Sequence, residues 1–299
     1  MLTRTPVLFR SLSQGCVPVR VMSSIAQLTP AVNLAFNEIP QPKVQEPARS
    51  RPIVIMHGLF GSKQNWKALS KAMATRLNTR VFTLDLRNHG ESDHSPVHDY
   101  ANMANDVAQF MKQQSLESPM VIGHSMGGKV AMNLALQHVP LDRLVVVDMA
   151  PVKVALSSEF AKYVAVMKEI QHAHVTKQSE ADQMMQKVVP DMGVRQFLLT
   201  NLKRDPSGQG YSFRVPIGTL GDSLGKLGEF DFVPGQDQFD GKALFIKGDR
   251  SGYVREKELD LIKSFFPNAR VEGLDTGHWV HAEKPDEFLR LVTAFASEP

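Results

Sequence analysis

A chain of 299 residues with a single cysteine, Cys16, can close no internal disulfide and cannot build a cysteine-ligated metal site. Long apolar runs are missing as well. Nothing approaches the roughly 20 residues that a membrane-crossing helix needs. Acidic side chains are absent from the start of the chain, where Glu38 is the first. Arg4, Arg10 and Arg20 are the only charges before it, and they account for the whole formal net charge of +3. The rest of the chain is balanced, so the pI of 8.9 comes mostly from the leader. Aromatic residues amount to 7%, and no basic stretch interleaves them, which argues against a nucleic-acid surface. No internal repeat or low-complexity tract is present.

What the leader does contain is informative. Ser11, Ser13, Ser23 and Ser24 accompany the arginines, with Leu2, Val7, Leu8, Phe9 and Leu12 beside them. Arg-rich, Ser-containing and acid-free is the composition of an organelle transit peptide. Residues 1–25 are therefore expected to be a mitochondrial presequence, which places the protein in the mitochondrion.

Beyond the leader, Val32, Leu34 and Phe36 alternate with polar or small residues and suggest a first strand. Strand-like runs then alternate with helical spacing. The strands are expected at Ile53–Met56, Val81–Leu86, Met120–Ile122 and Leu144–Val147. The helices are expected at Trp66–Leu77 and Met103–Met111. Such alternation with wholly apolar strands implies a parallel sheet covered on both faces, an α/β fold. The rhythm breaks after Pro151. Residues 152–235 offer three helix-like pieces, Glu159–Ile170, Ser179–Val188 and Val194–Leu202, and no convincing strand. They read as a helical cap inserted over the mouth of the sheet. The core is then 26–151 together with 236–299, where Ala243–Lys247, Glu256–Phe266, Ala269–Gly273 and Pro285–Ala296 resume the pattern.

Gly123-His124-Ser125-Met126-Gly127 reads G-x-S-x-G between an apolar strand and a helical pattern. That context is the nucleophile elbow, a turn so sharp that only small residues fit beside the serine. A serine hydroxyl needs a base to take its proton. His278, in a loop between the last strand and the last helix, is the best candidate, since strand-end loops gather at one edge of such a sheet. His281, three residues on, reads as a surface or helix-start histidine near Glu283. Two carboxylates follow strands and could orient the imidazole: Asp148 after Leu144–Val147, and Asp249 after Ala243–Lys247. His57-Gly58-Leu59-Phe60-Gly61-Ser62 is a glycine-containing turn after a strand. It could aim the backbone N–H of Leu59 (or Phe60) at a developing oxyanion, with Met126 N–H as the second donor. His172 and His174 are two apart on a helical stretch and point to different faces, so no metal site is expected. His57, His89, His94, His98, His124 and His138 read as turn or surface residues. No organic cofactor is expected either.

From about Arg51 onward the chain resembles the α/β-hydrolases. Arg87-Asn88-His89-Gly90-Glu91-Ser92 is similar to the R-x-x-G-x-S turn of that fold. His57–Ser62, Gly123–Lys129 and Gly277–Ala282 resemble a narrower group, which holds bacterial YbfF-type esterases, the mitochondrial α/β-hydrolase domain protein eleven and the yeast ethanol acetyltransferases. The resemblance implies Ser125 as nucleophile and His278 as base. It also favours Asp148 over Asp249, because this group carries its acid at the end of the strand after the elbow helix. Ser251 then occupies the slot where the wider superfamily has the acid, and it is expected to hydrogen-bond there. The implied activity is hydrolysis of small-molecule carboxylic esters or thioesters through an acyl-enzyme. The same scaffold also allows alcohol acyltransfer from acetyl-CoA to ethanol, or a non-catalytic binding role.

Overall fold

The computed structural model describes residues 28–153, 158–205, 208 and 210–299. The expected presequence at 1–25 lies outside the described residues. Among the described residues nine strands form: β1 (Phe36–Ile39), β2 (Ile53–Met56), β3 (Val81–Leu84), β4 (Met120–His124), β5 (Arg143–Val147), β6 (Leu202–Arg204), β7 (Tyr211–Phe213), β8 (Lys242–Gly248) and β9 (Ala269–Leu274). Seven of them make one sheet in the order β1-β3-β2-β4-β5-β8-β9, in which only β1 runs antiparallel.

Successive side chains on a strand point to opposite faces, and wholly apolar strands therefore build two cores. Val54, Met56, Val121, Leu144, Val146 and Phe245 face one side. Ile53, Ile55, Ile122, Val145, Val147 and Ile246 face the other. The first side is covered by α2 (Tyr100–Gln113) and α3 (Met126–Leu136), which follow α1 (Lys67–Leu77) in the chain. The second side is covered by α1 and the closing helix at Pro285–Ala296, whose Phe288, Val292 and Phe295 repeat at helical spacing.

Between Pro151 and β8 lie α4 (Ser158–His172), α5 (Gln178–Gln186), α6 (Met192–Leu199) and α7 (Ile217–Asp222). β6 and β7 pair antiparallel among them as a separate two-stranded sheet. The sequence offered no strand in this stretch. Strands of three residues are too short for a period of two to show. Their link instead uses Gly208 and Gly210, both at positive φ (79° and 88°), where glycine fits without strain. The first strand also shifts. It begins at Phe36 rather than Val32, because the backbone N–H groups of Val32 and Ala35 go to the side chains of Asp106 and Ser92 instead of a neighbouring strand. After β8 come α8 (Leu259–Phe265), β9, the short α9 (Val280–Glu283) and α10 (Pro285–Ala296). Among the described residues no helix is long and apolar enough to cross a membrane.

Candidate active site

Ser125 stands between β4 and α3 with φ 54° and ψ −115°, a backbone state rarely held by a residue with a side chain. Its two flanking glycines show why the turn tolerates nothing larger. A Cβ on Gly123 would lie 2.1 Å from the Gly127 carbonyl oxygen, and one on Gly127 would lie 2.7 Å from the carbonyl oxygens of Met56 and His57. The elbow is thus pressed against the end of β2. Ser125 N–H is tied to the Val147 carbonyl of the neighbouring strand (3.0 Å), which fixes the serine relative to β5.

Asp148 follows directly on β5, fully buried and also left-handed at φ 49°. Because β5 neighbours β4, its carboxylate arrives beside the serine at the carboxyl edge of the sheet. Oδ1 accepts the Gly248 N–H at 3.0 Å, and Oδ2 accepts the Ser251 hydroxyl at 2.5 Å. Oδ2 also lies 2.6 Å from Nδ1 of His278. On the far side of that ring, Nε2 is 2.9 Å from Ser125 Oγ. The chain therefore brings Ser125, His278 and Asp148 into one hydrogen-bonded line. Asp249 stays out of it. Its backbone N–H bonds to the Leu274 carbonyl (2.8 Å), and its carboxylate turns outward beside Gly273 to pair with Lys247 at 2.7 Å.

Two contacts hold His278 that the sequence did not announce. Tyr253 stacks on its ring at 4.1 Å between centroids, and His124 Nε2 donates to its backbone carbonyl at 2.9 Å. Tyr253 also donates its backbone N–H to Ser251 Oγ (3.3 Å). A lone tyrosine in a glycine-containing loop carries no periodic signal, so nothing in the sequence singled it out.

The histidines read as turn or surface residues divide differently. His57, His89, His98 and His124 are buried, and His281 is buried too, stacked on Trp66 at 4.2 Å. Neutral imidazole suits such places because one nitrogen donates and the other accepts. His57 donates from Nδ1 to the Gly58 carbonyl (2.8 Å) and accepts Leu86 N–H at Nε2 (3.0 Å). His89 donates to the Arg87 carbonyl (2.9 Å) and accepts Phe60 N–H (3.1 Å). Burial pushes the pKa of both below that of ordinary histidine, and that of His98 and His281 down to about 3. His94 and His138 are exposed.

The bond that His89 accepts bears on which N–H groups of the turn are free for the expected oxyanion. Phe60 N–H is already engaged, which leaves Leu59 as the donor offered by the 57–61 turn. Gly58 lies against Ser125, since a Cβ there would approach Ser125 Cβ to 3.2 Å. Met126 is the first residue of α3, so its N–H has no acceptor within the helix.

Above Ser125 opens a cavity of about 680 Å³. The strand-end loops line one side of it. α4 and α6 line the other with Phe160, Tyr163, Val194, Phe197 and Leu198. The arrangement is a hydroxyl, an imidazole and a buried carboxylate facing an apolar chamber on a parallel sheet. It is a hydrolase-type site.

Comparison with known proteins agrees. The family described as alpha/beta hydrolase fold matches residues 51–169. The mouse protein named sn-1-specific diacylglycerol lipase ABHD11 is 41% identical over 249 residues, which is 81% of this chain and 80% of that protein. A probable alcohol acetyltransferase of Saccharomyces cerevisiae is 37% identical, over 82% of this chain and 76% of its own. Among solved structures, a marine microorganism esterase is 32% identical with a TM-score of 0.79, covering 89% of this chain and all of its own. The chain belongs to the α/β-hydrolase family of enzymes.

Proposed function

We propose that the protein is a serine hydrolase of carboxylic esters, with Ser125 as nucleophile, His278 as base and Asp148 as the orienting acid. Ser125 Oγ attacks the acyl carbonyl carbon while His278 Nε2 takes the hydroxyl proton. Asp148 accepts the Nδ1 hydrogen bond, holds that tautomer and stabilises the imidazolium. The N–H groups of Leu59 and Met126 receive the oxyanion, each contributing about 3 kcal/mol to the transition state. The intermediate collapses, the C–O bond to the leaving alcohol breaks, and the alcohol takes the proton from His278. Water repeats the sequence and releases the carboxylic acid. Thioesters enter by the same steps with a thiol leaving.

The observation that carries this reading is the pair of contacts on His278, 2.9 Å to Ser125 Oγ and 2.6 Å to Asp148. A fluorophosphonate probe should label the wild-type protein on the peptide containing Ser125 and leave the Ser125→Ala variant unlabelled. Labelling elsewhere, or none, rejects the assignment.

The relative named as an alcohol acetyltransferase supports a second reading, in which an alcohol intercepts the acyl-enzyme before water does. Incubation with acetyl-CoA and ethanol would then yield ethyl acetate. We further propose that residues 1–25 direct the chain to the mitochondrion, on the strength of their acid-free, arginine-containing composition. A fluorescent protein carrying this segment should co-localise with a mitochondrial marker.

A further inference from the structure

The turn that carries Leu59 is Gly58-Leu59-Phe60-Gly61, closed by Gly61 N–H on the Gly58 carbonyl at 2.9 Å. The same carbonyl accepts His57 Nδ1–H at 2.8 Å. A trans peptide points its N–H away from its C=O. Two donors on the Gly58 carbonyl therefore turn the Leu59 N–H to the opposite side, and Leu59 lines the chamber together with Ser125. The next residue is harder to hold. Phe60 stands third in the turn with φ 63°, a place that favours glycine. A residue with a side chain keeps such a state only where its surroundings fix it.

Both backbone polar groups of Phe60 are fixed, and from different parts of the chain. Its N–H goes to His89 Nε2 in the core at 3.1 Å. Its carbonyl accepts a hydrogen bond from Asn201 Nδ2 at 2.7 Å. Asn201 is fully buried and lies in the inserted segment, between α6 and β6. It is itself held firmly. Its backbone N–H bonds to the Leu198 carbonyl at 3.1 Å, and its own carbonyl accepts Arg214 N–H at 3.0 Å. Arg214 Nε lies 3.5 Å from Oδ1, which keeps the amide nitrogen directed at Phe60. Asn201 and Arg214 flank β6 and β7, so the small hairpin closes at the residue that reaches the turn.

We propose that Asn201 is a positioning residue for the oxyanion turn, carrying the seating of the inserted segment to Phe60 and so keeping Leu59 N–H directed at the acyl oxygen. This rests on the acyl-enzyme reading given above. Asn201 acts through the Phe60 backbone and reaches no substrate atom. Without its donor the buried Phe60 carbonyl is left unpaired, and nothing from the insertion opposes relaxation of residue 60 to negative φ. The neighbouring peptide, which bears Leu59 N–H, moves with it. The developing oxyanion then loses alignment with one of its two donors, while the apolar walls that bind the acyl chain remain. The loss therefore falls on the transition state and spares ground-state binding.

The test uses the full-length protein and two ketones of the same chain length. A trifluoromethyl ketone adds Ser125 Oγ to its carbonyl carbon. The O–C bond forms, the carbonyl π pair moves to oxygen, and the hydroxyl proton passes to His278. The resulting oxyanion needs both donors. The matching methyl ketone occupies the chamber without adding. Asn201→Asp keeps the size of the side chain and replaces the donor by an acceptor. It should raise Ki for the trifluoromethyl ketone about ten- to a hundredfold, less than the roughly 10²- to 10³-fold of deleting a donor outright. Ki for the methyl ketone should move by less than about threefold, and kcat for a p-nitrophenyl ester should fall with KM nearly unchanged. Asn201→Ala brings no charge into the buried site and should show the same split at smaller size, so the inference is tested even if the aspartate variant does not fold. Equal weakening of both ketones would make Asn201 a packing residue and overturn the proposal, as would affinities that neither variant moves. If the fluorophosphonate leaves wild-type Ser125 unlabelled, the acyl-enzyme reading falls and takes this one with it. If Ser125 is labelled and the split is missing, the role of Asn201 falls alone.

Discussion

Ser125, Asp148 and His278 stand at strand ends of the seven-stranded sheet, whereas Phe160, Phe197 and Glu159 stand on helices inserted between its strands β5 and β8. The two sides of the cavity are fixed by different forces. On the floor, backbone approaches backbone so closely that a methyl group at Gly123 or Gly127 would meet a carbonyl oxygen. Asp148 and His278 have further partners that set their angles: Gly248 and Ser251 for Asp148, Tyr253 and His124 for His278. On the roof, α4 and α6 line the cavity with Phe160, Tyr163, Val194, Phe197 and Leu198, and both helices are exposed along their outer faces. On the proposed function, chemistry that tolerates little displacement sits on the rigid side, and selection of the acyl and leaving groups falls to the side that can change without disturbing the sheet.

The sharpest way to break this division is at the floor. Ser125→Ala is expected to lower kcat for a p-nitrophenyl ester by about 10⁴- to 10⁶-fold. Thermal unfolding should remain cooperative, since the side chain removed carries no packing. Turnover surviving above a tenth of wild type would mean that the chemistry lies elsewhere.

Next in size is the contrast between the two carboxylates. Asp148→Asn is expected to cost about 10³- to 10⁴-fold in kcat, because the amide favours the wrong imidazole tautomer. Asp249→Asn removes only an exposed pair with Lys247 and should stay within about twofold. Equal effects in steady-state assays would undo the assignment of the acid.

This pair also measures what the sequence could convey. Both aspartates end an apolar strand, and spacing treats them alike. What separates them is strand order, with β5 beside β4, and the outward turn of the chain after Gly248. The first follows from chain order, since the strand directly after the elbow helix is expected to neighbour the Ser125 strand; the second leaves no local pattern, and the resemblance to a known group was what favoured Asp148. The strands and helices of the core were legible because a buried parallel sheet demands uninterrupted apolar runs and its helices demand a stripe. The β6–β7 hairpin, the turn at α9 and the burial of five histidines were not. Hairpin and turn are shorter than the period that would reveal them. A histidine that donates and accepts within a loop leaves no periodic trace, although His57 directly after the apolar Ile53–Met56 run was a usable hint.

Those histidines distinguish floor from roof by pH. His57, His89, His98, His124 and His281 lie in the core, while His172 and His174 at the end of α4 are exposed. Burial holds the pKa of His98 and His281 at about 3, against an ordinary value of 6.5. Between those values the unfolded chain binds protons that the folded chain refuses. Stability is therefore full above pH 6.5 and falls as the pH drops towards 3. Each such histidine contributes up to roughly 1.4 kcal/mol per pH unit. Urea midpoints at pH 7.5, 6 and 5 should decline accordingly. His281→Phe retains an aromatic stack on Trp66 and removes one titrating group, so its decline should be shallower by about one proton. An unchanged slope would place His281 outside the acid-sensitive set.

The smallest expected effect belongs to the roof, and it sharpens the comparison most because it should appear in binding alone. Phe197 lines the cavity from α6 and meets Trp279 edge-on, with ring centroids 6.3 Å apart. Phe197→Ala removes apolar wall from the chamber and the ring contact to Trp279, and leaves the hydrogen bonds of Ser125, His278 and Asp148 in place. A long acyl chain resting there would lose about 1–2 kcal/mol of contact, equivalent to a KM raised about five- to thirtyfold. An acetyl ester should not reach the ring, so its KM should move by less than about threefold. Uniform binding energy lost from ground state and transition state alike raises KM and leaves kcat in place. If Phe197→Ala instead lowers kcat for short and long esters equally, the roof takes part in positioning the reacting carbonyl. The separation between a chemical floor and a selective roof would then have to be redrawn around α6.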